Sequence, residues 1–120
     1  MDRMASLRLT GSFPARVEIG SSTFGGSVTV INDGAEPVEA LAASRPDVTV
    51  LGQGRVVMSP LARDEVGIAL RLAPGAGLEL AAAGGVPPVP GHYEIRAVLP
   101  IVGEDPAVGG PWTLEVASTR

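Results

Sequence analysis

The sequence predicts an all-β protein, two antiparallel sheets stacked face to face and built from about seven to nine strands. Three observations lead there. Apolar and polar residues alternate in short runs, which is the pattern of a strand with one face buried. The 16 glycines and 11 prolines fall largely between those runs, where turns are needed. No window carries an apolar stripe of helical period over three turns. The Ala-rich stretch 76–83 comes nearest, but Gly75, Gly77, Gly84 and Gly85 bracket it too closely for a helix. A chain of 120 residues makes one domain. It buries roughly two-thirds of its unfolded surface, enough for a core without staples.

Leu7 and Leu9 alternate around Arg8, and Val17 and Ile19 alternate with Arg16 and Glu18, so the first twenty residues hold one or two edge strands around Pro14. Residues 20–26, with Phe24 ahead of Gly25-Gly26, are expected to be loop. Val28 and Val30 mark the next strand. Asn32-Asp33-Gly34-Ala35-Glu36-Pro37 then turns the chain into Val38–Ala43, either as a hairpin or as a crossover between sheets. After Arg45-Pro46, Val48 and Val50 alternate in the strand Asp47–Leu51. Gly52-Gln53-Gly54 supplies the positive-φ positions of a tight reversal into Arg55–Met58.

Ser59–Glu65 is a polar link. Val66, Ile68, Leu70 and Leu72 alternate in the strand that follows, and beyond Pro74-Gly75 so do Leu78 and Leu80. Residues 81–91, ending Pro87-Pro88-Val89-Pro90-Gly91, are expected to form a stiff connection. The strongest strand comes next, with Tyr93, Ile95, Ala97 and Leu99 on one face and His92, Glu94, Arg96 and Val98 on the other. Gly103–Pro111 is expected to be a loop, and Trp112, Leu114 and Val116 close the domain.

Three stretches carry a family resemblance. The run Gly26–Val38, followed by Pro74-Gly75 and by Pro90-Gly91-His92-Tyr93 through Leu99, resembles bacterial immunoglobulin-like and fibronectin type III-like sandwich modules. The resemblance implies that Tyr93 is a tyrosine corner, its hydroxyl bonding back to the backbone of the preceding turn. Ile95 stands where antibody domains place their second cysteine. The chain departs from antibodies in lacking cysteine and in having its only tryptophan, Trp112, in the last strand. A weaker resemblance, confined to the Pro-Gly-x-Tyr turn, is to the intracellular proteinase-inhibitor type of sandwich.

Composition closes several chemistries. All nine basic residues are arginines, so Schiff-base catalysis and lysine-dependent phosphate loops are excluded. A net charge of −4 and no basic run argue against nucleic acid or an anionic membrane as partner. No apolar stretch is long enough to span a bilayer. Met1-Asp2-Arg3-Met4 lacks the apolar core of a secretory signal, which leaves two expectations: a cytoplasmic protein, or a segment of a longer exported or surface chain.

Catalysis on serine would require His92, the sole imidazole, and the surrounding residues form no triad motif. It is expected to be a partly exposed turn histidine, and no catalytic residue or cofactor is assigned. One histidine without cysteine makes a poor zinc site. Asp33, Glu36, Glu104 and Asp105 are weak calcium candidates, since immunoglobulin-type topology puts their two loops at one end, where Asp64-Glu65 could join them. Ordinary solvated acids are the stronger reading, because no repeated Asp-x-Asp spacing appears. Phe24 is either an exposed anchor or a plug for the core, and Trp112 leans toward burial.

The expected role is a non-catalytic protein-interaction or spacer module of a bacterial surface or exported protein, acting through its loops or a sheet edge on a protein partner. The alternative is a protease inhibitor that inserts a rigid turn, Pro88–His92 or the loop 103–111, into a cleft.

Overall fold

The computed structural model describes residues 7–62 and 67–118. Met1-Asp2-Arg3-Met4, Asp64-Glu65 and the start of a strand at Val66 lie outside them. Among the described residues ten strands follow one another without a helix: β1 (Leu7–Ser12), β2 (Arg16–Glu18), β3 (Thr23–Asn32), β4 (Val38–Ala43), β5 (Asp47–Gly52), β6 (Arg55–Met58), β7 (Gly67–Leu72), β8 (Gly77–Gly85), β9 (Gly91–Leu99) and β10 (Ala107–Ala117). They form a three-stranded sheet in the order β1-β3-β8, a five-stranded sheet in the order β2-β10-β9-β5-β6, and a ribbon of β4 and β7. Every pairing is antiparallel except that of β2 with β10.

The alternating residues do what the pattern requires. Leu9, Val28, Val30, Val48, Val50, Ile95, Ala97, Leu99, Leu114 and Val116 are buried in one core between the sheets. Each buried Val, Leu or Ile contributes about 1.5–3 kcal/mol by leaving water. The single asparagine, Asn32, is the polar member of this interior and is fully enclosed.

Pro14 decides how the first segment is used. It has no N–H to continue a ladder, so the chain leaves β3 after Ser12 and crosses to the other sheet. There β2 pairs in parallel with β10, and the pairing is flanked by Glu115 N–H donating to Ala15 O and Ile19 N–H donating to Ala117 O, both at 2.8 Å. Phe13 turns inward at the crossing and meets Phe24 edge-on at 6.1 Å and Trp112 at 5.1 Å between ring centroids.

Of the two routes open to Val38–Ala43, the chain takes the crossover. β4 pairs with β7, not with β3, and the ribbon bridges the ends of the two sheets. On the three-stranded side Asn32 Nδ2 donates to Leu72 O and Glu36 O. On the five-stranded side Ala43 N–H donates to Pro100 O and Val102 N–H to Leu41 O. Leu70, Leu72 and Ala42 of the ribbon close that end of the core.

Three segments expected to be loop are strand instead, each for an identifiable reason. Residues 23–26 extend β3 along β8, and Gly26 leaves room for a neighbour: a Cβ there would lie 2.5 Å from the Phe13 ring. Residues 81–85 pair with 23–27, so the stiff connection shrinks to 86–90. Residues 107–109 pair with β9, and a bulge between Gly109 and Trp112 takes Gly110 and Pro111 out of the ladder. Of the glycines that suggested loop in these places, Gly26, Gly84 and Gly109 serve close packing.

Candidate functional site

The outer face of the five-stranded sheet carries the site. Pairing of β10, β9 and β5 brings Glu115 opposite His92, and Glu94 between Thr113 and Leu51. At the end of β5 the reversal has positive φ at both Gln53 (54°) and Gly54 (79°), the geometry of a two-residue hairpin. Glycine adopts it freely, whereas Gln53 does so at a cost of about 1 kcal/mol. Between this turn and the three strands lies an open depression of about 660 Å³, lined by Leu51, Gln53, His92, Glu94, Thr113 and Glu115 among others.

The depression holds one imidazole, two carboxylates and a hydroxyl on rigid strands. His92 and Glu94 are exposed, and Glu94 Oε1 lies 3.8 Å from Arg96 Nη2. A shallow face of this kind binds a complementary surface well. Its openness leaves whatever sits in it in contact with water.

The sequence-predicted residues are distributed as follows. His92 is on the outer face of β9, exposed as expected. Tyr93 is half-buried on the inner side, and its O–H donates to Val89 O at 2.5 Å, which is the bond a tyrosine corner makes. That bond fixes the connection 86–90, where Val86 and Pro87 are buried and only Pro88, Val89 and Pro90 protrude. The other inhibitory segment, 103–111, is cut short by β10, which begins at Ala107. Phe24 is buried at 4% exposure, so of its two readings it takes the plug, and half-buried Trp112 packs against the same core.

Asp33 and Glu36 lie at the same end as Glu104 and Asp105, since Leu7 pairs with Asn32, Leu99 pairs with Ala107, and Leu9 lies against Gly109. Asp33 is engaged by Arg8, whose Nε donates to Oδ2. Among the described residues no three His, Asp or Glu side chains come together so as to hold a metal ion. No helix of the described residues is long and apolar enough to cross a membrane.

Two features of the surface escaped the sequence. One is the depression, because it is assembled from three strands whose neighbours only the sheet order supplies. The other is the outer edge of β8, whose first half was expected to be strand and whose second half, 81–85, was expected to be connection.

No protein-family model matches the chain, and no curated protein matches it. Solved structures do. The CARDB domain of a Pyrococcus furiosus protein, solved in complex with di-metal ions, superposes with a TM-score of 0.51 at 18% identity, over 93% of this chain and 91% of that one. A Listeria innocua beta-glucosidase in complex with glucose matches with a TM-score of 0.50 at 16% identity. That match covers 92% of this chain but 16% of the glucosidase, so it concerns one domain of a larger protein. At such identities the likeness is one of fold. The chain is an immunoglobulin-like β-sandwich.

Proposed function

We propose that this sandwich is a non-catalytic spacer and interaction module of a larger bacterial surface or exported protein. The observation that carries the reading is the placement of the outermost strands. The chain enters β1 at the end capped by the β4–β7 ribbon and leaves β10 at the opposite end. A module so arranged fits in line between neighbours, and its principal extents of 53 × 25 × 21 Å suit a rod segment. The parallel pairing of β2 with β10 supports the same role. Tension on the two ends loads those hydrogen bonds together, in shear, and does not open them one after another. The shallow depression on the outer face is then a surface for a protein partner.

Single-molecule pulling through the two ends tests this. The expected result is one rupture of the whole domain, at a force that falls clearly in Val17→Pro, the variant that breaks the β2–β10 pairing at its midpoint. The same change lowers equilibrium stability by about 2–3 kcal/mol, from one lost hydrogen bond and from the packing of half-buried Val17 against the core. Stepwise unravelling of the unmodified domain at low force would contradict the spacer reading.

A further inference from the structure

The two sheets have four outer edges, and three are protected. β1 lies against β10, so close that a Cβ on Gly109 would fall 2.6 Å from Leu9 O. β2 is three residues long, carries Arg16 and Glu18, and follows Pro14. β6 is four residues long and begins with Arg55. Shortness, charge and proline are the devices that keep a sheet edge from pairing with another chain. β8 is neither short nor interrupted by proline: it runs nine residues, Gly77–Gly85, with Glu79 as its single charge, and among the described residues it pairs only with β3.

The side chains beside that edge are incompletely covered. Leu78 and Leu80 face inward, opposite Val30 and Val28 of β3. The two valines have strands on both sides and are sealed at 0% exposure, whereas Leu78 remains 38% exposed and Leu80 half-buried. In this sandwich β7, which precedes β8, pairs with β4 and so leaves the place beside β8 without a strand.

We infer that the β8 edge pairs with β8 of a second copy of the chain, antiparallel about a two-fold axis at Ala81, joining the two three-stranded sheets into one of six strands. The strand is complementary to itself in that register. Leu80 comes beside Ala82 of the second copy and Leu78 beside Gly84, so each large residue meets a small one. Gly85 is buried against Met58, so the open part of the edge gives the pairs of Glu79 with Ala83, Ala81 with Ala81 and Ala83 with Glu79, about six backbone hydrogen bonds. The two Glu79 side chains stand four residues apart along the strands, about 13 Å, beyond the screening length of about 8 Å at physiological salt. A two-fold pairing uses both edges and stops at the dimer. This inference is independent of the proposed role under tension.

Ala81 makes the test clean, because it is exposed and would face its own copy at the centre of the interface. Sedimentation of the full chain from about 1 to about 500 µM is expected to show a monomer–dimer equilibrium. Ala81→Lys and Ala81→Glu each place like charges directly opposite one another, and each raises the dimer Kd about fivefold. Mixing the two variants restores a dimer at least as tight as the original, and circular dichroism confirms that both are folded. A chain that stays monomeric throughout the range would overturn the inference, and so would a dimer indifferent to both substitutions.

Discussion

Asn32→Asp lowers the stability of this domain by about 3 kcal/mol or more at neutral pH, although it exchanges a single amide nitrogen for oxygen. Asn32 is fully enclosed and each of its polar atoms is used. Nδ2 donates to Glu36 O at 2.8 Å and Leu72 O at 3.0 Å, while Oδ1 accepts from Gly34 N–H at 2.9 Å. Its backbone donates to Ala76 O and accepts from Gly75 N–H. One residue thus ties the end of β3 to the following turn, to the end of β7 and to the turn before β8. A carboxylate there donates nothing and points an anionic oxygen at two carbonyls.

The penalty of Asn32→Asp depends on pH, with a definite sign. Burial and the facing carbonyls raise the aspartic acid pKa in the folded state above its unfolded value of about 3.9. The folded variant therefore binds the proton more tightly, and its stability relative to the parent falls as pH rises from about 4 through the folded pKa. Below that window the protonated acid donates one hydrogen bond and recovers part of the loss. Urea unfolding at pH 4 and pH 7 measures the effect, and an equal penalty at both would refute this account of Asn32.

Gly109→Ala lowers the melting temperature by about 10 °C, through a loss of about 2–3 kcal/mol. The added Cβ would lie 2.6 Å from Leu9 O, 2.8 Å from Leu9 Cβ and 3.0 Å from the Trp112 ring. The first of these neighbours is backbone, which cannot swing aside, so β1 must move off β10. Gly25→Ala is the control: a Cβ there meets nothing within 4 Å, and its stability stays within about 0.5 kcal/mol of the parent. A thermal melt of the three proteins decides it. Equal loss in both variants would mean that generic strand propensity, not the β1–β10 approach, governs the effect.

The same contacts explain what could be read in the sequence. Alternation predicted the core, because Val28 and Val30, Val48 and Val50, and Ile95, Ala97 and Leu99 can be buried together only in a strand. The turn Gly52-Gln53-Gly54 was legible because it is local, and the bond of Tyr93 because the resemblance to immunoglobulin-like modules implied it. The strand character of 23–26, 81–85 and 107–111 was hidden. Glycine there yields space to Phe13, Phe24 and Leu9, which come from elsewhere in the chain. The parallel β2–β10 pairing and the depression lined by His92, Glu94 and Glu115 depend on strand order, which local pattern does not encode. The β8 edge was missed for both reasons, a glycine-rich stretch and an absent neighbour.

Everything proposed for this molecule depends on its two sheets sharing one core with β3, β5, β9 and β10 inside it. Native-state amide hydrogen exchange measures that directly. The expected result is that interior amides of β3, at the centre of one sheet, and of β5 and β9 in the other exchange last and at one common rate, that of global unfolding, while β2 and β6 exchange earlier. Fast exchange in β3 alongside slow exchange in β9 would show that the sheets open separately and contradict a single sandwich core.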